Sequence, residues 1–482
     1  MNILFIGGFA GWGSKFSSIA ESLSSNDEIS DFHIISQGID SYEDICGKES
    51  TNHLSFEELY KDFLDSSSIV NKHNLEQRYG PLYKIAASDR TLLQFTHPIE
   101  YGRLHSQDFM TSYVAYWLNF YENFLVKNKI DVVVTSVIAS VMSLTAAMVC
   151  EKKNIKLLSL GLTRYPDRAT FYKDIQMTER IHFSDYTFHH LEKAEKLIEE
   201  KNKKQINPSW LEWKKQLSNP LNIFNYVNSI RSNNLYKKYK LYFGLVDFKD
   251  PILFLPTISL RIKSYVLKMI RSYYYSRLKK LAKLPKGKFY LYALHVDPEM
   301  ATSVLALNWI DQLDLIKRIK IQMYHDVKLL VKEHPSMIGI RNVNFYKEIQ
   351  AIPGVEICSD SLATEDLIKS SALVISITGT ISLEAAIFNK PSFLFAKTDF
   401  SSISSISVFD GNLDLLGKQL KMSEEICLKD ISEIKEFLAD NYANSVSLTG
   451  SEIWNSETKN QFKYINKMTY LLSKSLNEIK DC

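Results

Sequence analysis

Short apolar runs alternate with helix-patterned segments in two separate blocks of this sequence. The first block holds apolar runs at residues 3–6, 33–36, 131–136 and 156–160. The second block holds apolar runs at residues 289–294, 327–332, 373–377 and 392–395. Strands that alternate with helices form parallel sheets covered by helices on both faces. We therefore expect an α/β protein built around two such sheets.

The region between the blocks, residues 190–288, lacks this alternation and is punctuated by several prolines. We predict an N-terminal domain over 1–240, a connection over 241–288 and a second domain over 289–455. A final helix is expected over 456–482. Its apolar side chains are numerous enough to require burial, and we expect it to pack back on the N-terminal domain.

Composition excludes several classes of protein. Hydrophobic residues make up 45% of the 482 residues and charged residues 23%, as in ordinary globular proteins. A net charge of +3 does not suggest a nucleic-acid-binding protein. The five cysteines form no paired motif, as in a reduced cytosolic protein. Neither a signal peptide nor an apolar run of about 20 residues is recognisable, so we expect a cytoplasmic location.

One stretch of the connection is strongly basic. From Pro251 to Val296 there is no acidic residue, whereas residues 258–288 contain ten lysines and arginines with tyrosines between them. Basic residues near a membrane surface are attracted to anionic headgroups. We therefore predict peripheral attachment of residues 258–288 to the inner face of the cytoplasmic membrane. The alternative is a basic surface between the domains or facing the substrate.

A glycine-rich turn follows the first strand. It contains Gly8, Gly11 and Gly13 and leads into a helix. Glycines allow a close approach of backbone to ligand, but the order Ser14-Lys15 does not match a P-loop, and the spacing is not that of a dinucleotide fingerprint. We interpret the turn as one border of a substrate cleft on the acceptor side.

Three strand-end loops in the second block carry polar groups. Parallel sheets bind ligands at the carboxyl ends of their strands. The three loops are His295-Val-Asp297-Pro298-Glu299, Lys332-Glu333-His334-Pro335 and Ser376-Ile-Thr378-Gly379-Thr380. The last precedes a helix whose N-terminus suits a phosphate, with Glu384 in its first turn within reach of sugar hydroxyls. A solvated turn and a simple helix cap are the structural alternatives.

Charged pairs in the first block are further candidates. Asp89 and Arg90 adjoin each other, and Arg164, Asp167 and Arg168 lie close together in the sequence. They belong either to the acceptor side of a site or to salt bridges at a domain edge. The sequence has no Asp-x-Asp, no HExxH and no paired cysteines, so we expect no metal site. It has no GxSxG motif of an α/β-hydrolase.

A set of motifs over residues 289–396 resembles the capsule polysaccharide biosynthesis family, which includes Kdo transferases of capsule export. The motifs are His295-x-x-Pro298-Glu299, Asp311-Gln312-Leu313, Lys332-Glu333-His334-Pro335, Gly339-x-Arg341, Phe345-Tyr346, Ser376-x-Thr378-Gly379-Thr380, Glu384-Ala385 and Lys390-Pro391. The His334-Pro335 motif and the Thr378-Gly379-Thr380 motif are also similar to those of bacterial sialyltransferases. The chain departs from many relatives in having Asp297 where they have Gln.

This resemblance implies a GT-B fold, in which two Rossmann-like domains face a central cleft. The C-terminal domain would then bind the nucleotide-sugar donor and the N-terminal domain an oligosaccharide or lipid-linked acceptor. The implied reaction moves a nonulosonic acid of the Kdo, sialic, pseudaminic or legionaminic type from a CMP-activated donor to a capsule or other surface polysaccharide. No cofactor is implied.

The leaving CMP would carry a phosphate dianion, which protein dipoles and cations must stabilise if no metal does. His334 is the candidate acid, Lys332 adds charge, and Thr378 and Thr380 bind phosphate oxygens. Glu384 binds the ribose. Asp89 and Asp167 are the candidate catalytic carboxylates. The donor side is completed by Glu333, Pro335, Ser376, Gly379, His295 and Glu299.

Other functions remain open at this stage. They are a UDP-GlcNAc 2-epimerase-like isomerase, a teichoic-acid-type glycerophosphotransferase and a non-catalytic capsule assembly scaffold. The nucleotide that the protein binds distinguishes the glycosyltransferase, the isomerase and the glycerophosphotransferase. A protein that binds no nucleotide would favour the scaffold.

Overall fold

The computed structural model describes residues 1–7, 12–24, 29–36, 52–66, 70–89, 106–203, 258–297, 299–426, 431–449, 452–453 and 461–480. Gly8, Gly11, Arg90 and Pro298 lie outside these residues.

The first sheet has a doubly wound core. Its strands are β1 (Asn2–Gly7), β2 (Asp31–Ser36), β3 (Asn52–Ser55), β4 (Val132–Thr135), β5 (Lys156–Leu162), β6 (Arg168–Tyr172) and β13 (Val446–Ser447). The strand order is β13-β6-β5-β4-β1-β2-β3. The five neighbouring strands β5, β4, β1, β2 and β3 are parallel to one another. Leu4 and Phe5 of β1 are buried in different clusters on opposite faces, as expected of a central parallel strand.

The second sheet is parallel throughout. Its strands are β7 (Phe289–Ala293), β8 (Lys328–Lys332), β9 (Val355–Ile357), β10 (Leu373–Ser376), β11 (Ser392–Leu394) and β12 (Ile406–Val408). The strand order is β9-β8-β7-β10-β11-β12, which is a doubly wound order. The chain adds strands outward from β7 towards one edge, and from β10 onward it adds them towards the other edge. The strand order therefore reverses between β7 and β10. The two sheets confirm the expected α/β fold with two Rossmann-like units.

Helices cover the first sheet and lead out of it. They are α1 (Trp12–Leu23), α2 (Phe56–Ser66), α3 (Lys72–Tyr79), α4 (Leu82–Ala87), α5 (Gln107–Lys127), α6 (Val141–Lys153) and α7 (Phe188–Asn202). The aromatic residues Tyr113, Trp117 and Tyr121 of α5 are buried and packed in one cluster.

The helices after residue 257 are α8 (Ile258–Arg277), α9 (Met300–Ser303), α10 (Gln312–Gln322), α11 (Val343–Ala351), α12 (Thr364–Ser370), α13 (Ile381–Ile387), α14 (Leu416–Glu424), α15 (Ser432–Ala443) and α16 (Gln461–Lys480). The sequence predicts one helix over 304–319, and this prediction is wrong. The helix starts only at Gln312, because the Asp311 side chain accepts the backbone N–H groups of Leu313 and Asp314 and so caps it.

The chain returns to the first sheet near its C-terminal end. β13 pairs antiparallel with β6, so the return begins at Val446, inside the segment that the sequence assigns to the second domain. Helix α16 then packs against α1, with Tyr464 and Met468 buried in the cluster that contains Phe16. Buried Lys15 of α1 donates to the carbonyl oxygens of Glu452 and Ile453. None of the described helices combines the length and hydropathy that crossing a bilayer requires.

Candidate functional site

The candidate site lies at the carboxyl edge of the second sheet, where the strand order reverses between β7 and β10. Ligands of doubly wound proteins bind in the crevice at this point. The loops after β7, β8 and β10 all leave from this edge, and they carry His295, His334 and Thr378, respectively. Hydrogen bonds between these loops make them one structural unit.

His295 joins the loops on either side of the reversal point. Its Nε2 lies 3.0 Å from Ser376 Oγ and accepts the backbone N–H groups of Ile377 at 3.2 Å and Thr378 at 3.3 Å. Burial is the main cause that lowers the pKa of His295 to about 4, and electrostatic repulsion from His334 and Arg341 adds to it. A neutral imidazole is the form that can accept these bonds. His295 therefore orders the loop after β10.

The loop after β10 is tightly folded around Ser376. Ser376 Oγ accepts the N–H of Gly379 at 3.1 Å. A Cβ atom at Gly379 would lie 2.4 Å from that oxygen, so only glycine fits without displacing it. The Thr378 hydroxyl donates to the Ala301 carbonyl at 3.2 Å. Thr380 is exposed at the start of α13, and its side chain caps no amide of that helix.

Glu333 is enclosed by protein donors. Its Oε2 accepts Arg341 Nε at 3.0 Å and the Tyr346 hydroxyl at 2.6 Å, and its Oε1 accepts the His334 backbone N–H at 2.7 Å. Arg341 in turn donates from Nη2 to the His295 carbonyl at 2.7 Å. Glu333 thus holds Arg341, and Arg341 ties the loop after β8 to the loop after β7.

His334 occupies the first position of the loop after β8 that is not buried. It precedes a short 3₁₀ turn, Pro335–Met337, and its Nδ1 accepts the Ser336 backbone N–H at 3.3 Å. Since Nδ1 accepts, the neutral ring carries its proton on Nε2. The exposed ring of Pro335 at the start of the turn stiffens the chain directly after His334.

Lys332 has a different position from the one that the sequence suggested. Its ammonium donates to the carbonyl oxygens of Ser359 at 2.8 Å and Leu362 at 2.9 Å, in the segment after β9. Burial lowers its pKa. Strand β8 ends at Lys332, so His334 lies in the loop beyond it, and closeness in the sequence does not bring the two side chains together.

Glu384 contacts a cation from a distant part of the chain. Lys201, in the last turn of α7, lies 3.1 Å from Glu384 Oε1. Helix α7 packs against α13 and α15 through a shared apolar cluster, which brings Lys201 to the site. Glu299 is exposed at the N-cap position of α9, where its carbonyl accepts the hydroxyl groups of Thr302 and Ser303.

The candidate carboxylates of the first unit lie at the carboxyl edge of its sheet. Asp89 is buried, and its Oδ2 accepts the N–H of Val141, the first residue of α6, at 2.8 Å. That helix follows β4, which borders the reversal point between β1 and β4. Asp167 is exposed in the turn between β5 and β6, with φ of 54°. Gly13 is buried in the first turn of α1.

The two arginines predicted for the acceptor side form contacts between distant parts of the chain. Arg164 Nε donates to Asp399 Oδ1 at 2.8 Å, and the Asp399 carboxylate also accepts the Tyr172 hydroxyl and faces Arg180. Arg168 bonds Ser445 and stacks 3.9 Å above the centre of the Tyr442 ring. The ion pair of Arg164 corresponds to the salt-bridge alternative that the sequence left open, whereas Arg168 contacts a serine and an aromatic ring.

Three residues near the site received no role from the sequence. Gln312 accepts the His295 N–H through Oε1 at 2.8 Å, and Arg341 bonds the His295 carbonyl. Burial raises the pKa of Asp297, and the positive charge of Arg341 partly offsets this rise. Gln312 and Arg341 belong to the motifs quoted above, so the motifs were the available signal. Among the described residues, no cluster of three His, Cys, Asp or Glu side chains could hold a metal ion.

A doubly wound α/β protein with its polar groups at a strand-order reversal belongs to the class that binds nucleotides or similar ligands there. The family model "Capsule polysaccharide biosynthesis protein" matches residues 195–403, a little under half of the chain. This segment contains all three loops of the candidate site. Its match to the family model confirms the resemblance that the motifs indicated.

Solved structures similar to this chain include two kinds of enzyme. The UDP-GlcNAc 2-epimerase of Methanocaldococcus jannaschii is 14% identical over 98% of this chain and 100% of that one, with a TM-score of 0.24. The KpsC β-Kdo 2,7 transferase of Thermosulfurimonas dismutans is 11% identical over 73% of this chain and 89% of that one, with a TM-score of 0.31. No curated protein sequence matches the chain.

Proposed function

We propose that the chain is a glycosyltransferase of capsule or other surface polysaccharide synthesis. In this proposal it transfers a nonulosonic acid from a CMP-activated donor to an oligosaccharide or lipid-linked acceptor at the cytoplasmic side of the membrane. One observation carries the proposal. The loops after β7, β8 and β10 are bonded into one unit at the reversal point of the second sheet, within the segment that matches the family.

The donor phosphate would lie beside the loop after β10. There Thr380 and the N-terminal turn of α13 offer a hydroxyl and backbone N–H groups. His334 would donate a hydrogen bond from its Nε2–H to the leaving phosphate, which becomes a dianion as the bond to the sugar breaks. Glu384 would accept the ribose hydroxyls. In this arrangement Ser376, Gly379 and His295 shape the loop, whereas Glu333 and Arg341 position His334.

Two of the predicted phosphate ligands take other roles in this proposal. The Thr378 hydroxyl is bonded to the Ala301 carbonyl, and the Lys332 ammonium to two carbonyls beyond β9. The cation nearest to Glu384 is instead Lys201. We therefore assign Lys332 and Thr378 to positioning, and we keep the backbone of the loop after β10 as the phosphate site.

The acceptor would bind at the carboxyl edge of the first sheet. Asp89 and Asp167 both lie at this edge and remain the candidates for activating the acceptor or forming a glycosyl intermediate. Asp89→Asn and Asp167→Asn, assayed separately, distinguish them. Loss of transfer without loss of CMP binding is expected for the catalytic carboxylate. If both variants transfer at the wild-type rate, neither residue has this role.

The nucleotide tests the proposal. Thermal unfolding is recorded with CMP, CDP, UDP and their sugar derivatives, followed by a transfer assay with CMP-activated nonulosonic acids. A ligand at about 100 times its Kd stabilises by about 2.7 kcal/mol, which gives a measurable rise in Tm. A rise with CMP compounds alone, and transfer without added metal in the presence of EDTA, is the expected result.

Other outcomes would contradict the proposal. A shift with UDP-GlcNAc, together with epimerisation, would assign an isomerase. A shift with CDP-glycerol would assign a glycerophosphotransferase. Transfer that EDTA abolishes and Mn²⁺ or Mg²⁺ restores would refute metal independence. No shift with any nucleotide would favour a scaffold.

A further inference from the structure

Helix α8 is attached to the second unit by one face. A Cβ atom at Gly339, in the loop after β8, would clash with Ser272 Oγ and the Lys268 carbonyl. Arg271 Nη1 donates to the Ile340 carbonyl, and Tyr275 is buried with its ring 4.8 Å from that of Tyr346. The docked face of α8 therefore contains residues 268, 271, 272 and 275.

The opposite face of α8 is apolar and exposed. Its members recur at the three- and four-residue spacing that places them on one side of a helix. They are Val266, Met269, Ile270, Tyr273 and Tyr274. These five side chains expose 46–57% of their surface. We call them the α8 stripe. Large apolar side chains grouped in this way indicate an interaction site, whereas single ones do not.

Exposed positive charges follow the stripe in the sequence. Arg277, Lys279, Lys283 and Lys286 are all exposed. Lys280 and Lys288 are not part of this surface, because they pair with Asp360 and Glu424. The nearest acidic residues in the sequence lie outside 251–296. The stripe and its flanking segment thus combine aliphatic, tyrosine and cationic groups without an acid among them.

We propose that the α8 stripe enters the headgroup region of an anionic lipid membrane, with Arg277, Lys279, Lys283 and Lys286 at the charged surface. Interfacial helices bury an apolar face at the boundary between headgroups and acyl chains, and basic side chains beside that face bind anionic lipids. Tyrosine suits this boundary because one end of its ring is apolar and the other polar. The membrane meets the face of α8 opposite to Gly339, so it does not compete with the candidate site.

The structure changes the basis of the membrane prediction. The basic residues by themselves do not form one face of the helix, but the apolar residues do. The proposal does not depend on glycosyl transfer, because vesicle binding is measured on the protein without donor or acceptor.

Vesicle co-sedimentation is the first test. The full chain is mixed with neutral phosphatidylcholine vesicles and with vesicles containing phosphatidylglycerol, at 50 and 500 mM salt. We expect binding to the anionic vesicles that weakens at high salt, since the Debye length falls to a few Å. The triple variant Lys279→Gln, Lys283→Gln, Lys286→Gln should bind at least tenfold more weakly, given about fivefold for each basic residue at the surface. The control, Lys152→Gln, Lys153→Gln, Lys156→Gln, makes the same change of charge on the first unit and should bind normally.

A second pair of variants tests the apolar stripe. Met269→Gln with Ile270→Gln should reduce vesicle binding about tenfold or more, because two aliphatic side chains no longer gain from leaving water. Ile321→Gln, at an exposed apolar side chain elsewhere in the second unit, is the control. Equal binding to neutral and anionic vesicles, or no binding at 50 mM salt, would overturn the proposal. It would also be overturned if the two control variants lost as much vesicle binding as the variants that they match.

Thiol labelling distinguishes a membrane from a cover formed by the chain itself. Met269→Cys is made with Cys46, Cys427 and Cys482 replaced by Ser. Buried Cys150 and Cys358 are retained, because burial raises the pKa of each thiol to about 12 and makes it unreactive. Maleimide should react quickly without vesicles and at least tenfold more slowly with anionic ones. Slow reaction without vesicles would mean that another part of the chain covers the stripe, which would refute the proposal.

Discussion

The pH dependence of stability should depend on His295. Burial, with electrostatic repulsion from His334 and Arg341, lowers the pKa of this imidazole from 6.5 to about 4. The unfolded chain therefore takes up a proton at His295 between pH 6.5 and pH 4, whereas the folded protein does not. The contribution to stability is complete above pH 6.5 and is lost as the pH falls towards 4.

The magnitude follows from the two pKa values. One pKa unit corresponds to about 1.4 kcal/mol, so the loss reaches about 3 kcal/mol below pH 4. At pH 5 the difference in proton binding is worth about 2 kcal/mol. The fully buried ring has little solvent to screen it, so no large reduction of this figure is expected.

Urea unfolding at pH 7.5 and pH 5.0 measures the effect. His295→Gln keeps a polar side chain at this position but does not titrate. Between the two pH values the wild type should lose about 2 kcal/mol more than this variant. His325→Gln, at an exposed histidine of the same unit, should retain the wild-type pH dependence. If His295→Gln does so too, the imidazole is not held neutral by the loop after β10, and the assigned hydrogen-bond pattern is wrong.

Three further predictions concern the site and the return of the chain. His334→Ala should lower kcat by about 10²-fold or more while donor binding changes little, because it removes the hydrogen-bond donor proposed for the leaving phosphate; steady-state kinetics would disprove this if kcat stayed near the wild-type value. Glu384→Gln should raise the donor KM about tenfold through weaker bonds to the ribose, and Lys196→Gln, an exposed lysine of α7, is a control that should leave KM unchanged. Leu472→Ala should cost about 2–5 kcal/mol in urea unfolding, because Leu472 is buried between α16 and the first sheet; an unchanged midpoint would contradict that packing.

Burial determines which residues of the site hold the loops in place and which residues a ligand can contact. Glu333 is wholly buried and has donors on both oxygens, so its contribution is to hold Arg341 and the His334 backbone. A buried ion pair is costly to disrupt because the remaining charge stays in a medium of low dielectric constant. His334 and Thr380 lie nearer the solvent, and they are the groups that a ligand can reach.

The local elements were largely predictable from the sequence. The eight predicted runs became parallel strands, since such strands are buried on both faces and need no alternating pattern, whereas the short parallel strands β3, β9 and β12 were not predicted. The turn at Gly379 was also recognisable, because a glycine between two hydroxyl residues after a buried strand marks a tight loop. The helix over 304–319 failed because Asp311 caps a new helix, a local signal stronger than the apolar spacing around it.

Only the tertiary structure decided which side chains meet. His295 and Ser376 are 81 residues apart and become neighbours because β7 and β10 are adjacent across the reversal point. Arg164 reaches Asp399 across 235 residues. Lys332 is next but one to His334 in the sequence, yet its ammonium bonds the segment after β9. Periodicity along a chain specifies the local backbone and its buried face, whereas contacts between distant residues depend on strand order, which local periodicity does not encode.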